Sequence, residues 1–352
     1  MDLSKERRCG ATDKEGSEAD EEERVKTMQN GNQDQHFPRE LHKLAAAVGC
    51  LLLASAANAL VIAYVHDRVP ESAPLPDALF DRSPFIPHAV VASECLIVLY
   101  ATLTFVVCLL HKHRWIVLRR VLLITALLYA GRSLSIFLTQ LPQSDPKYYC
   151  APKERNAGLA TVLGRAASLM GSGGFLMSQQ KQIYCGDYIY SGHTIILTVC
   201  YLVFAEYSPK RWVIVHWLAL LWCVVGALLL VVSRVHYSVD VLIAYYITSR
   251  VFWIYHTLCA HPDLRDYTDD NLLSRVYWFP LFRFMEGNVK GTVPRRFDWP
   301  LSFFGADAVD PVLPHYWRRP AFGLWRGGRR WLSFPSFRGL GANGRRTRTT
   351  AF

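Results

Sequence analysis

Two histidine-containing motifs precede apolar stretches of this chain. The first runs from Cys185 to Thr194 and contains His193, and the second begins at His236 and contains Asp240. His236 and Asp240 are four residues apart, so a helix places both side chains on one face. A carboxylate in that position holds an imidazole in one tautomer and stabilises its charged form. We therefore predict that the two histidines act as a nucleophile and a proton carrier, with Asp240 supporting His236.

Membrane-spanning helices are the elements that must position these residues. Hydrophobic residues make up 51% of the 352-residue chain, and they are concentrated between Leu44 and Ala260. A helix needs ~20 apolar residues to cross a bilayer. The stretches near that length are Leu44–Val65, Ala89–Leu110, Val121–Leu141, His193–Tyr207, Trp212–Val232 and Val239–Ala260. The sequence therefore predicts an all-α membrane protein, built as a bundle of six transmembrane helices.

The distribution of lysine and arginine predicts how this bundle is oriented. Arg39 and Lys43 precede the first predicted helix, and the loops on the same side carry Lys112, Arg114, Arg119, Arg120, Lys210 and Arg211. The loops on the opposite side are poorer in cations. Because cationic loops stay in the cytosol, both chain ends should be cytosolic, and His193 and His236 should face the lumen or the cell exterior. Chemistry at helix ends on a membrane surface points to a lipid as the substrate.

The composition divides the chain into three parts. Residues 1–43 are polar and mixed in charge, which predicts a disordered cytosolic leader. Residues 44–260 form the predicted catalytic membrane domain. Residues 261–352 form a predicted cytosolic basic tail, rich in arginine and tryptophan, which suits contact with the anionic leaflet. Membrane lipids are thus the expected partners and nucleic acid is not, and the sequence leaves open whether the chain forms a homo-oligomer.

Polar residues near the two motifs are candidates for binding a substrate phosphate or for supporting the histidines. Helix N-termini favour anions, and small residues at positions 191 and 192 let a backbone approach a phosphate oxygen closely. Glu94, in the second predicted helix, either functions or bridges helices, and Arg132, in the third, either holds a phosphate or pairs with a carboxylate. The full set of candidates is Glu94, Arg132, Asp187, Ser191, Gly192 and Tyr237.

The loop between the third and fourth predicted helices contains two cysteines and a glycine-rich stretch. Cys150 and Cys185 lie where oxidation is allowed, so either a disulfide or two buried thiols fits the sequence. Asn156–Gln179 is moderately apolar, and we predict that it lies at the lumenal interface instead of crossing the membrane. No spacing of histidine, cysteine or acidic residues predicts a metal site, and no other cofactor is expected.

Four motifs, in order and at matching spacing, resemble those of the sphingomyelin synthase family from about Leu44 to Pro300. The first is Pro74-Leu75-Pro76-Asp77 followed by Asp81, and the second comprises Arg119, Arg120, Tyr129, Arg132, Thr139 and Pro142. The third runs from Cys185 to Thr194, and the fourth comprises His236, Tyr237, Asp240, Val241, Tyr245, Phe252, Tyr255 and His256. Ser238 stands where the family has threonine, and it keeps the hydroxyl.

The resemblance implies a core like that of the lipid phosphate phosphatases and a specific reaction. Enzymes of this family move phosphocholine from phosphatidylcholine to ceramide, giving sphingomyelin and diacylglycerol. Their catalytic triad corresponds to His193, His236 and Asp240. The residues support a two-step mechanism through a phosphohistidine on His236, which needs no metal. The resemblance also implies residence in the Golgi or plasma membrane, with the active site facing the lumen or the exterior.

Three alternatives stay open at this point. Some family members use phosphatidylethanolamine and make ceramide phosphoethanolamine. A lipid phosphate phosphatase also carries a Ser-Gly-His motif and a histidine with an aspartate four residues later, but its usual Lys-x6-Arg-Pro phosphate clamp is missing from this chain. A non-catalytic lipid scramblase or channel explains intramembrane polar residues, but it gives no reason for paired histidines at helix starts.

Overall fold

Helices account for the regular structure in the computed structural model, which describes residues 37–147, 149–154, 157–171, 182–268, 270–289 and 292–297. Within these ranges there is no strand, and one isolated antiparallel bridge pairs His111 with Phe297. The residues before 37, which include most of the predicted leader, and those after 297, which include most of the predicted tail, lie outside the described ranges.

The described ranges contain eight α-helices. They are α1 Leu41–Val65, α2 Ala89–Leu110, α3 Arg114–Leu138, α4 Leu159–Gly171, α5 Gly192–Tyr207, α6 Val213–Val232, α7 Ser238–Ala260 and α8 Phe279–Glu286. Short 3-10 turns follow α1 and precede α8, at His66–Arg68, Pro262–Arg265 and Leu272–Arg275. The predicted all-helical fold is confirmed over these ranges.

Four helices are long and apolar enough to cross a bilayer by length and composition, namely α1, α2, α3 and α6. Helix α5 has 16 residues, fewer than the ~20 that a span needs. Helix α7 has 23 residues but a more polar composition, since it carries Asp240, Thr248 and Arg250. The chain is therefore a multi-pass membrane protein with at least these four apolar helices in its described part.

Helix α5 lies in the middle of the bundle. It packs against α2, α3, α6 and α7. Most of its residues are buried on all sides, as expected for a helix that is surrounded by protein and not by lipid. The outer helices expose large apolar side chains instead, for example Leu53 on α1, Phe105 on α2 and Ile214 on α6. This arrangement places the motif at the start of α5 inside the bundle.

The third helix begins seven residues earlier than the sequence predicted, at Arg114 and not at Val121. The prediction began the helix at Val121 because Arg119 and Arg120 look like loop residues. Both arginines are instead buried and paired. Arg120 donates from Nε and Nη2 to the two carboxylate oxygens of Glu286 at 3.1 and 2.6 Å, and Arg119 donates to Glu40 at 3.0 Å.

The segment after α7 packs against the bundle through α8. Phe279, Phe282 and Met285 are fully buried, and the Tyr255 hydroxyl donates to Glu286 at 3.2 Å. Burial by itself raises the pKa of Glu286, but the charge and hydrogen bonds of Arg120 outweigh burial and lower this pKa. Residues from 261 onward, predicted as a tail, thus begin with a segment that is part of the packed structure.

A disulfide joins the two ends of the loop between α3 and α5. Cys150 and Cys185 form a disulfide with a Cα–Cα distance of 5.7 Å, which decides between the two states that the sequence allowed. Helix α4, inside the predicted interfacial stretch Asn156–Gln179, has 13 residues and packs against α1. Arg165 on α4 pairs with Asp67 at 2.6 Å. Residues 156 and 172–179 of that stretch lie outside the described ranges.

We predict that Glu286→Ala lowers the stability of the folded protein by about 3–5 kcal/mol, because it leaves buried arginines without their carboxylate. The measurement is the midpoint of thermal unfolding of the purified protein in detergent. Arg283→Ala on the same helix is the matched control. Arg283 pairs with Asp266 at 3.2 Å in an exposed position, so its loss should cost only about 0–1 kcal/mol. Equal shifts in the two variants would contradict the prediction.

Candidate active site

The two histidine motifs meet at one end of the bundle. His236 Nδ1 lies 3.1 Å from Asp240 Oδ2, and His236 Nε2 lies 3.5 Å from His193 Nδ1. The two imidazole rings have centroids 5.6 Å apart and are tilted by 58°. His236 and Asp240 have no exposed surface, and His193 is 4% exposed. The predicted triad is therefore assembled as a buried chain of carboxylate, imidazole and imidazole.

Local sequence explains how α5 presents His193. Ser191 is the N-cap residue of α5, and its hydroxyl accepts a hydrogen bond from the backbone N–H of Thr194 at 3.3 Å. Tyr190, just before it, has a φ of 63°, which is uncommon for a residue other than glycine. This turn directs the chain into the helix, so that His193 lies in its first turn.

Helix α7 receives its cap from a distant loop. Asp77 accepts a hydrogen bond from the Ser238 backbone N–H at 2.7 Å and from the Ser238 hydroxyl at 2.8 Å. A carboxylate at a helix N-terminus satisfies free N–H groups and matches the helix dipole. Burial raises the pKa of Asp77, but the hydrogen bonds from Ser238 and Leu79 outweigh burial and lower it. Asp77 therefore stays ionised and fixes the start of the helix that carries Asp240.

Arg132 lies beside the start of α5 and is 2% exposed. Its guanidinium donates from Nε to the carbonyl of Tyr190 at 3.0 Å and pairs with Asp187. A Cβ added at Gly192 would lie 3.2 Å from the guanidinium carbon, so the absence of a side chain there lets the two groups approach. The structure contains the predicted pairing of Arg132 with a carboxylate, and its predicted role in holding a phosphate stays a prediction.

Tyr237 and Glu94, two other predicted supporting residues, lie on other parts of the structure than the start of α5. The Tyr237 hydroxyl donates to the carbonyl of Pro142 at 3.2 Å and accepts from the Leu75 backbone N–H at 3.1 Å, so it joins two loops. Glu94 is buried in the second turn of α2, which packs against α5 and α6. Its role in the site stays a prediction.

Two residues near the site were missing from the predicted set. Asp77 belongs to the Pro-Leu-Pro-Asp motif, but a loop aspartate gives no sign of the helix that it caps. Asn58 on α1 accepts a hydrogen bond from Arg132 Nη1. An amide in the middle of an apolar helix is the signal that indicates such a residue.

The geometry supports acid–base and nucleophilic chemistry. With Nδ1 of His236 held by Asp240, the lone pair on Nε2 can attack, and His193 is close enough to exchange a proton. Among the described residues no group of three histidine, cysteine or acidic side chains is placed to hold a metal ion. Burial of the triad keeps bulk water from the reacting atoms.

Comparisons with known proteins show what this chain is similar to. The PAP2 superfamily C-terminal family matches residues 184–257, which include both histidine motifs. Phosphatidylcholine:ceramide cholinephosphotransferase 1 from Caenorhabditis elegans is 41% identical over 269 residues, or 76% of this chain and 57% of the relative. The Gallus gallus protein of the same name is 37% identical over 76% of this chain and 64% of the relative. Phosphatidylcholine:ceramide cholinephosphotransferase 2 from Mus musculus is 37% identical over 76% of this chain and 73% of the relative.

The chain thus spans less than two thirds of the length of the Caenorhabditis elegans and Gallus gallus relatives. The family match over residues 184–257 includes the candidate site.

We predict that Asp77→Ala lowers stability by about 1–2 kcal/mol through loss of the cap on α7. The measurement is the thermal unfolding midpoint at several pH values. Because the pKa of Asp77 is lowered in the folded protein, the cap contributes fully above the usual aspartate pKa of about 3.9, and its contribution is lost as the pH falls through the lowered value. Asp81→Ala, an exposed aspartate in the same loop, is the control. A shift for Asp81→Ala as large as that for Asp77→Ala would argue against a capping role.

Proposed function

This chain belongs to the sphingomyelin synthase family, the phosphatidylcholine:ceramide cholinephosphotransferases, and on that basis we propose that it transfers phosphocholine from phosphatidylcholine to ceramide. The products are sphingomyelin and diacylglycerol. The observation that carries the proposal is the buried contact between His193 and the His236–Asp240 pair. These residues lie within the region that matches the PAP2 family.

In the first step, Nε2 of His236 attacks the phosphorus of phosphatidylcholine. The bond between phosphorus and the glycerol oxygen breaks, and protonated His193 gives its proton to that oxygen, so that diacylglycerol leaves. The phosphocholine group is then held on His236 through a nitrogen–phosphorus bond. Asp240 accepts the Nδ1–H hydrogen bond and stabilises the positive charge that develops on the imidazole.

In the second step, ceramide replaces diacylglycerol. Neutral His193 takes the proton from the primary hydroxyl of ceramide, and the ceramide oxygen attacks the phosphorus. The nitrogen–phosphorus bond breaks and returns His236 to its starting state. His193 ends protonated, ready for the next turnover, so the two steps balance in protons.

The substrate phosphate requires the two imidazoles to move apart. Their nearest nitrogens are 3.5 Å apart, whereas a reacting phosphorus needs to lie about 3–3.5 Å from the nucleophile with its leaving oxygen beyond it. The N-terminus of α5, with Ser191 and Gly192, is the nearest set of backbone N–H groups for the phosphoryl oxygens. We assign Glu94 and Asp187 supporting roles, since both are acidic side chains in or beside the bundle.

We further propose that α5 and α7 complete a bundle of six spans, with both chain ends in the cytosol. The disulfide between Cys150 and Cys185 supports this orientation, because it joins the loop that leads into the site, and disulfides form in oxidising compartments. The site then faces the lumen of the Golgi or the cell exterior. The same proposal places the leader and the basic tail in the cytosol. It leaves open whether the chain forms a homo-oligomer.

A lipid phosphate phosphatase is the second candidate, and the match to the PAP2 superfamily favours it. It differs from the transferase in its acceptor, which is water instead of ceramide. A transferase that uses phosphatidylethanolamine differs in its donor. Incubating membranes that contain the full chain with labelled ceramide and each phospholipid separates the two transferases, because the labelled product carries the head group of its donor. Release of inorganic phosphate from a lipid phosphate monoester, with no ceramide present, identifies the phosphatase.

We predict that His193→Ala, His236→Ala and Asp240→Ala each lower the rate of head-group transfer by more than about 10³-fold while the protein still inserts and folds. Formation of labelled sphingomyelin measures the rate. With head-group-labelled donor and no ceramide, the wild-type protein should retain covalent label, and His236→Ala should retain none.

His88→Ala is the matched control, since His88 is exposed just before α2. It should leave transfer unchanged. Strictly ceramide-dependent release of diacylglycerol, with label never found on the protein, would overturn the phosphohistidine and make His236 a general base in a single displacement.

We predict that the site end of the protein is lumenal or extracellular. Arg82, in the loop that contains Asp77, and Arg211, between α5 and α6, are both exposed. In sealed, cytosolic-side-out vesicles, an impermeant maleimide should label Arg211→Cys before permeabilisation and Arg82→Cys only afterwards, against the background of the parent chain. The reverse order would refute the orientation.

A further inference from the structure

A buried hydrogen-bond cluster centred on Arg132 lies beside the start of α5. It comprises Arg132, Asp187, the backbone of Tyr190 and the side chain of Asn58. We propose that Asn58 is a positioning residue for the active site. Its amide oxygen fixes the guanidinium of Arg132, which holds the loop that carries the chain into α5 and His193. The kinetic part of this proposal rests on the proposed transferase function, and the structural part does not.

Three protein acceptors surround the guanidinium. Nε donates to the Tyr190 carbonyl at 3.0 Å, Nη1 donates to Asn58 Oδ1, and Nη2 pairs with Asp187. Because the guanidinium is a rigid planar fork, two hydrogen bonds and an ion pair on its three nitrogens determine both its position and its plane. Arg132 is 2% exposed, so water does not substitute for these partners. In this arrangement the guanidinium is a structural element and not a free phosphate ligand.

The guanidinium of Arg132 contacts the loop before His193 at two residues, Tyr190 and Gly192. Tyr190 has a φ of 63°, a conformation that persists only when its surroundings hold it. The hydrogen bond from Arg132 to its carbonyl is one such constraint. At Gly192, a Cβ would lie 3.2 Å from the guanidinium carbon, so backbone and guanidinium are already in close contact. A displacement of Arg132 therefore moves the turn that immediately precedes His193.

Asn58 supplies the acceptor for Nη1 of Arg132, and neither Tyr190 nor Asp187, which bind the other two nitrogens, takes its place. Asp187 already balances the charge of Arg132, so position 58 needs an acceptor without a further charge, which an amide provides. Asn58 is 9% exposed and lies in the apolar helix α1. An apolar residue there leaves Nη1 without an acceptor inside the bundle, where an unpaired donor is costly. The guanidinium must then shift to find another partner.

The test compares Asn58→Leu, which removes the acceptor but keeps the number and branching of the side-chain heavy atoms, with Asn58→Gln, which keeps an uncharged acceptor oxygen. Asn288→Leu makes the same substitution at an exposed site on the segment after α8. Hydrogen exchange of the purified full chain, followed by mass spectrometry of the peptide around residues 186–192, reports on the loop without any activity. We expect exchange about 10-fold faster in Asn58→Leu and unchanged in the other two variants.

The kinetic measurement uses labelled ceramide with phosphatidylcholine. Asn58→Leu should lower kcat by about 10–100-fold with KM changed less than about 3-fold, because it misplaces His193 without touching substrate. Asn58→Gln, which keeps the uncharged amide oxygen, should stay within about 3-fold of wild type. Added to Arg132→Met, Asn58→Leu should cause little further loss, since both act through one guanidinium.

The outcomes separate the two proposals. Unchanged exchange in Asn58→Leu, or full additivity with Arg132→Met, would overturn the positioning role. A lower thermal midpoint with kcat and exchange unchanged would also overturn it, since Asn58 would then contribute to stability alone. Faster exchange in a protein whose wild type transfers no head group would support the positioning role and reject the transferase function.

Discussion

The site depends on a constraint that membrane burial imposes: a charged group inside the bundle is costly unless protein groups pair with it. Arg132 is the clearest case, because its guanidinium takes acceptors from α1, from the Tyr190 carbonyl and from Asp187. One buried cation thus joins the first helix, the third helix and the loop before α5. The position of His193 follows from that junction. Helix α1 is for this reason a part of the active-site structure and more than a membrane anchor.

The opposite end of the bundle is held by the same kind of interaction. Arg119 and Arg120 pair with Glu40 before α1 and with Glu286 on α8, so that segments from both ends of the membrane domain meet α3. Removing one member of a buried pair leaves an uncompensated charge, which makes the packing of each segment conditional on the others. Helix α5 lies between these two charged ends and contacts four neighbouring helices. His193, which we propose to be catalytic, therefore lies on a helix that is surrounded by other helices.

The loops at the site end complete the geometry from a distance. Asp77 caps α7 from a loop between α1 and α2, and the Tyr237 hydroxyl joins the loops around Leu75 and Pro142. The disulfide ties Cys185, at the beginning of the third motif, to the loop after α3. These contacts hold two helix starts together so that their histidines meet. An enzyme that protects a covalent intermediate from water needs such a rigid, buried arrangement.

The sequence by itself determined the family, which the comparisons confirm, and it identified the three residues that meet at the site. The family followed from the resemblance of four motifs, and the pairing of His236 with Asp240 followed from their spacing of four residues, which is a local property. The sequence misplaced the start of the third helix, because buried arginines are indistinguishable from loop arginines until their partners are known. Only the tertiary structure decided that Cys150 is bonded to Cys185, that Asp77 caps α7 and that Asn58 holds Arg132, since each contact joins residues far apart in the chain.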